Sequence, residues 1–180
     1  DLSKNIKKFN PNIIVTSTTT STIEYDLEII KSIKSILPNS IIIMKGSIFY
    51  QAPITLLNSL NLSQINFLIG GEIEFAVSNI INKINSHEDN FEEIPGIYFK
   101  KNNIWIETKF NNWNKEIDEL PFPDRSKINN KLYVRPDTNE PQATIATSRG
   151  CPASCVFCLT PTISGKKVRF RNPDSVLSEI

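Results

Sequence analysis

Cys151, Cys155 and Cys158 are all the cysteines the chain contains, and they stand at CxxxCxxC spacing within Ser148-Arg149-Gly150-Cys151-Pro152-Ala153-Ser154-Cys155-Val156-Phe157-Cys158. Three thiols cannot pair off as disulfides, and a closed structural zinc site takes four protein ligands. The arithmetic therefore favours a metal centre left one protein ligand short, and an open coordination position is where chemistry takes place. Thiolate is a soft ligand suited to iron and sulfide, and cubane clusters usually take one cysteine per iron, so three cysteines leave one iron open. Spacing alone also admits a zinc site completed by a distant ligand, or a redox or structural trio of cysteines. His87 is the one histidine; it lies far upstream in the polar loop His87-Glu88-Asp89-Asn90, where an exposed side chain is the ordinary reading and metal ligation the exception.

Something must hold that loop in place. The run Ala143-Thr144-Ile145-Ala146-Thr147 predicts a strand over 143–147 with the cysteine loop at its carboxyl end, where catalytic groups sit in barrels of parallel strands and helices. Before it, Leu120-Pro121-Phe122-Pro123-Asp124-Arg125 is punctuated by proline, and 126–141 is polar with further prolines, which marks a connector.

Residues 1–86 alternate helical and strand patterns. Leu2, Ile6 and Phe9 stand at helical spacing, and Asn10-Pro11-Asn12 breaks the pattern before the apolar run Ile13-Ile14-Val15. After a polar cluster over 16–22, Leu27, Ile30, Ile33 and Leu37 share one helix face that Pro38-Asn39 ends. A second apolar strand follows over 41–44, then Lys45-Gly46-Ser47 and a short helix carrying Leu56, Leu57 and Leu60. Phe67-Leu68-Ile69 makes a third strand, closed by Gly70-Gly71, and Glu72 begins a helix carrying Phe75, Val77, Ile80, Ile81 and Ile84. Short, continuously apolar strands alternating with amphipathic helices predict an α/β, doubly wound, Rossmann-like parallel sheet covered on both faces. Ligands on such sheets sit at the carboxyl ends of the strands. Those ends carry Ser17, Gly46 and Gly71, small residues that allow close backbone approach, though short loops turn on such residues without any ligand. Further on, 97–99 and 104–106 predict a hairpin turning at Lys101-Asn102-Asn103, and Trp105 and Trp113 read as packing residues before they read as ligand platforms.

The totals narrow the field. With 180 residues and 39% hydrophobic content the chain can bury a real core. Its 20 basic and 19 acidic residues are interspersed, for a net charge of +1, which argues for no nucleic-acid partner and no anionic membrane surface. No apolar run reaches the roughly 18 residues of a membrane-spanning helix, and the first residues lack the apolar core of a signal peptide. Free thiols then favour a cytoplasmic location. The chain starts at Asp1 without methionine and ends at Ile180, just after Asn172-Pro173-Asp174 opens a helix, so it reads as a piece of a longer protein.

The run Thr147-Ser148-Arg149-Gly150-Cys151-Pro152, followed by Cys155-Val156-Phe157-Cys158, closely resembles the cluster loop of the radical S-adenosylmethionine superfamily. The flanks at 120–125 and 165–180 resemble one branch of it, in which a cobalamin (vitamin B12)-binding domain precedes the barrel. The resemblance implies a cobalamin-binding-like domain over 1–90, a hairpin and linker over 91–141, and the start of a truncated TIM-like radical domain over 142–180.

The resemblance further implies a set of roles. Cys151, Cys155 and Cys158 would each hold one iron of a 4Fe-4S cluster, with S-adenosylmethionine on the fourth iron, cleaved reductively to methionine and a 5′-deoxyadenosyl radical. Phe157 would lie against the adenine, and Gly150, with Arg149, would shape the loop. Ser17, Gly46 and Gly71 match positions at which the family docks cobalamin, while Lys45 and Ile73 stand where the family usually has glycine. A sister branch that attaches methylthio groups carries extra cysteines in its N-terminal domain; residues 1–150 have none. The implied reaction is cobalamin-dependent methyl transfer to an unactivated carbon, or a radical rearrangement or cyclisation, on a small-molecule substrate. A low-potential donor such as a flavodoxin or ferredoxin would supply the electron, and the isolated fragment would not turn over. The alternative from another class is a non-catalytic docking module with a structural metal at the three cysteines.

Overall fold

The computed structural model describes residues 2–110, 113 and 116–180. The chain divides into two compact units, Asp1–Trp113 and Asn114–Ile180.

The first unit runs α1 (Leu2–Phe9), β1 (Ile13–Ser17), α2 (Ile23–Ile36), β2 (Ile41–Lys45), α3 (Ile54–Ser59), β3 (Phe67–Ile69), α4 (Glu74–Asn85), β4 (Ile97–Lys101) and β5 (Ile104–Glu107). The five strands form one sheet in the order β1-β2-β3-β4-β5. β1, β2 and β3 pair parallel, with Val15 opposite Ile43 and Ile43 opposite Phe67. β3 and β4 pair antiparallel, with Leu68 opposite Tyr98, as do β4 and β5. The expected α/β sheet is therefore present, and the predicted hairpin continues it at the β3 edge. The hairpin turns through Asn102 and Asn103 at φ 53° and 62°, the left-handed pair a two-residue turn between antiparallel strands needs.

Alternation along the strands builds a core on each face. Ile42, Met44, Leu68 and Tyr98 point to one face and pack with Ile30 and Ile33 of α2 and Leu57 of α3. Ile43, Phe67, Ile69, Ile97 and Phe99 point to the other, against Ala76 and Ile80 of α4. Trp105 is buried in the first cluster as expected, but Trp113 is 37% exposed. α1 also departs from its predicted apolar face. Ile6 packs on the core, while Phe9 stands 82% exposed, so an apolar spacing of three residues does not by itself secure burial.

The second unit has little regular structure. Short 3-10 turns occupy Ile117–Glu119, Arg125–Lys127 and Asn130–Leu132, and α5 (Thr160–Ile163) and α6 (Pro173–Glu179) are brief. α6 begins as its residues require, with the Asn172 side chain accepting from the Asp174 N–H and proline at the start. The strand expected over 143–147 is not formed. The ladder there is β6 (Ser148–Arg149) with β7 (Arg169–Phe170), and it is antiparallel. A strand exists only through a partner, and residues 143–147 have none in a ladder, so no barrel geometry is displayed among the described residues.

Candidate functional site

Two places carry the expected site residues, one in each unit. In the sheet, register brings the carboxyl ends of β1, β2 and β3 to one edge, because Ser17 pairs with Lys45 and Lys45 with Ile69. The Thr18 N–H donates to Lys45 O at 2.7 Å and the Gly46 N–H to Ile69 O at 3.0 Å, so the three loops leave the sheet side by side. Ser17 is exposed there, while Gly46 and Gly71 are buried.

The need for small residues at this edge is partly internal. A Cβ on Gly46 would lie 2.8 Å from Thr18 Cγ2 and 2.9 Å from Thr18 O, closer than van der Waals contact permits. A Cβ on Gly70 would overlap the backbone of Phe49 and Tyr50. The chain's own atoms therefore make the close approaches, the methyl and carbonyl of Thr18 at Gly46 and the backbone of Phe49 and Tyr50 at Gly70. The hydroxyl cluster after β1 is likewise committed: Thr18 and Thr22 both donate to Asp26 Oδ2 in the first turn of α2, at 2.7 and 2.8 Å. Ser17 faces solvent beside that network.

In the second unit the cysteine loop springs from the short β6–β7 ladder. Gly150 takes φ +92°, and a Cβ there would overlap Lys167 O and lie 3.1 Å from Gly165 O, so both conformation and space require glycine. The Cys151 N–H donates to Gly165 O at 3.0 Å, which ties the first cysteine to the segment after α5. A turn brings the Cys158 N–H to Cys155 O at 3.2 Å. All three thiols are free; Cys155 is exposed and the others half-buried. The Cys158 sulfur lies 3.3 Å from Thr160 Oγ1, and the hydroxyl and backbone of Thr160 hold its thiol below the ordinary value. Phe157 projects 88% exposed.

Among the described residues no three His, Cys, Asp or Glu side chains converge closely enough to hold a metal ion. The structure thus places the three cysteines in one loop but does not bring their sulfurs into a ligand set. The donor chemistry still fits an iron–sulfur cluster: three free thiols within eight residues, one exposed and two half-buried, none of them in a disulfide. Such sites are commonly gathered by the metal itself. His87 sits at φ 56° in an exposed loop, the ordinary reading of that residue.

Sequence reading missed Glu179. Its carboxylate, 2% exposed, pairs with both Arg125 and Arg171, and Arg171 also lies 3.8 Å from Asp118. The available signal was the cluster of Arg169, Arg171 and a glutamate within one short segment, but nothing local says which charges meet.

No family model matches the sequence. The chain is 26% identical over 183 residues to an uncharacterized methyltransferase of Pyrococcus horikoshii, spanning 100% of this chain and 38% of that protein. It is 25% identical over 191 residues to the anaerobic magnesium-protoporphyrin IX monomethyl ester cyclase of Cereibacter sphaeroides, spanning 99% of this chain and 29% of that one. The chain therefore spans well under half the length of these relatives. Among solved structures, the cobalamin-dependent S-adenosylmethionine radical enzyme OxsB with aqua-cobalamin and S-adenosylmethionine bound superposes on 99% of this chain and 24% of its own, with a TM-score of 0.75 at 22% identity. The radical S-adenosylmethionine methyltransferase TsrM of Kitasatospora setae, with cobalamin and a [4Fe-4S] cluster bound, gives a TM-score of 0.68 at 15% identity over 99% of this chain and 37% of that one. These likenesses bear out the expected α/β fold, and the similarity runs along the whole chain. No helix among the described residues is long and apolar enough to cross a membrane.

Proposed function

We propose that this chain, similar along its whole length to radical S-adenosylmethionine enzymes with a cobalamin-binding domain, carries the cofactor-holding parts of such an enzyme. The observation that bears most weight is the loop of three free cysteines beginning at Gly150, whose left-handed conformation against Lys167 leaves no room for a side chain. Cys151, Cys155 and Cys158 would hold three irons of a 4Fe-4S cluster and leave the fourth for S-adenosylmethionine. When bound and reduced, the cluster would supply the single electron for cleavage of a carbon–sulfur bond in S-adenosylmethionine, chemistry that belongs to the cofactors.

The chain's own residues have narrower tasks. The Cys151 N–H, held by Gly165 O, fixes one end of the loop, and the turn from Cys155 to Cys158 sets the backbone at the other. Phe157, exposed at the tip, offers a ring face for adenine. In the other unit, Ser17, Gly46 and Gly71 lie at the edge proposed for cobalamin. Ser17 is the accessible member there, because the space beside Gly46 belongs to Thr18.

The reaction we assign to the whole protein is methyl transfer to an unactivated carbon, or a related radical rearrangement or cyclisation, on a small molecule. It would draw electrons from a flavodoxin or ferredoxin in the cytoplasm.

Anaerobic reconstitution of the full-length protein with iron and sulfide tests this reading. A brown, oxygen-sensitive cluster whose spectrum shifts on adding S-adenosylmethionine is expected, with iron binding lost in Cys155→Ala and cobalamin retention lost in Ser17→Trp. One tightly held zinc with no response to S-adenosylmethionine would instead establish a docking module with a structural metal.

A further inference from the structure

The residues that lead into the cysteine loop lack the support a strand usually has. Residues 143–147 join no ladder and are mostly exposed, yet three of their carbonyls are held. Arg125 Nη2 donates to Thr144 O at 3.1 Å, Arg171 Nη1 to Ala146 O at 3.2 Å, and the Arg171 backbone N–H to Thr147 O at 2.9 Å. Two guanidinium groups thus do for this segment what a neighbouring strand does elsewhere in the fold.

Both guanidiniums end on one carboxylate. Glu179 Oε1 accepts from Arg125 Nη2 at 2.5 Å, and Glu179 Oε2 accepts from Arg171 Nη1. Arg171 is further fixed by a bond from Nη2 to Ser175 Oγ at 3.1 Å and by the Phe122 ring, 5.5 Å from its guanidinium carbon. Without the glutamate, two like charges, 25% and 12% exposed, would face one another with no carboxylate between them, and an unpaired cation partly withdrawn from water is costly.

From this we infer that Glu179 is a positioning residue: through Arg125 and Arg171 it fixes the segment 144–149 that delivers Gly150 and Cys151 to their places. The role in cofactor assembly rests on the reading of 151–158 as a cluster loop; the clamp itself does not.

Hydrogen–deuterium exchange on the full chain, without metal, tests the clamp. In Glu179→Gln the amides of Cys151 and Arg171 and of the β6–β7 ladder should exchange at least about ten-fold faster, as expected when charge-assisted bonds are lost. The sheet of the first unit should keep its pattern. Glu179→Asp, which retains the charge, should recover part of the protection. Arg125→Gln leaves Arg171 on Glu179, so it should give a smaller acceleration, and it remains informative if Glu179→Gln unfolds 116–180 altogether. Wild-type exchange at Cys151 and Arg171 in both Glu179→Gln and Arg125→Gln would overturn the inference. Anaerobic reconstitution supplies the second readout: at unchanged far-UV circular dichroism, Glu179→Gln should bind several-fold less iron per chain than wild type. A wild-type protein that binds no iron would sink the cluster reading while leaving the exchange result to decide the clamp.

Discussion

Gly150 and Gly46 look alike in the sequence, each a glycine beside a candidate site, but they are required for different reasons. Gly150 sits at φ +92° with Lys167 O in the space a Cβ would fill, whereas Gly46 is extended and constrained by Thr18. Gly150→Ala should therefore meet both backbone strain and overlap, and lower the stability of residues 116–180 by about 1–3 kcal/mol. Urea unfolding followed by a probe in that unit would measure it, and a loss within error of zero would show that the loop relaxes freely. The cysteines were legible from type and spacing alone, because thiol chemistry is intrinsic to the residue. That their sulfurs do not converge was not legible, since convergence depends on backbone geometry that spacing does not specify.

In the first unit the helices follow from apolar spacing and β1, β2 and β3 from short continuous apolar runs, and the two core clusters show why such runs are readable. An apolar run such as Ile41-Ile42-Ile43-Met44 is needed only where both faces of a sheet are covered. The placement of β4 beside β3 is a different matter, decided by contacts such as Tyr98, fully buried, whose hydroxyl donates to Ala52 O at 2.9 Å. Burial pushes that phenol above its ordinary pKa, so it stays a donor. Tyr98→Phe would leave the Ala52 carbonyl without this partner and should cost about 1–3 kcal/mol of global stability. Equilibrium unfolding of the sheet would report it. A near-neutral result would mean that water replaces the phenol. The expected strand over 143–147 failed for the complementary reason: strand propensity was present, but a ladder partner was not.

The two units are held by different forces. Nearly all the buried apolar side chains among the described residues lie before residue 114, with Ile117 the exception, whereas 116–180 holds the ion pairs of Arg125 and Arg171 with the covered Glu179 carboxylate. In the first unit the ion pairs Lys31–Glu28 and Lys101–Glu92 are exposed and contribute little. Glu179 is held below its ordinary carboxyl pKa of 4.5, first by Arg125 and then by Arg171, with Asp118 the other carboxylate beside Arg171. A carboxyl depressed in the folded state contributes stability that is fully present above its unfolded pKa and lost as pH falls through the folded value. Acidification from neutral pH should thus loosen 116–180 below the ordinary carboxylate range while the β1–β5 sheet stays protected. Amide exchange measured across that range would show it, and simultaneous loss in both units would count against it.

The sequence by itself determined the alternation of elements, the turn at Asn102-Asn103, the cap at Asn172 and the thiol chemistry of the loop, because each follows from residues near one another along the chain. Only the tertiary structure decided that Gly70 must admit the backbone of Phe49 and Tyr50, and that Arg125 reaches the carboxylate of Glu179, 54 residues away along the chain. Long-range packing and charge pairing leave no period in the sequence. They arise when the folded backbone brings distant groups within van der Waals or hydrogen-bond reach.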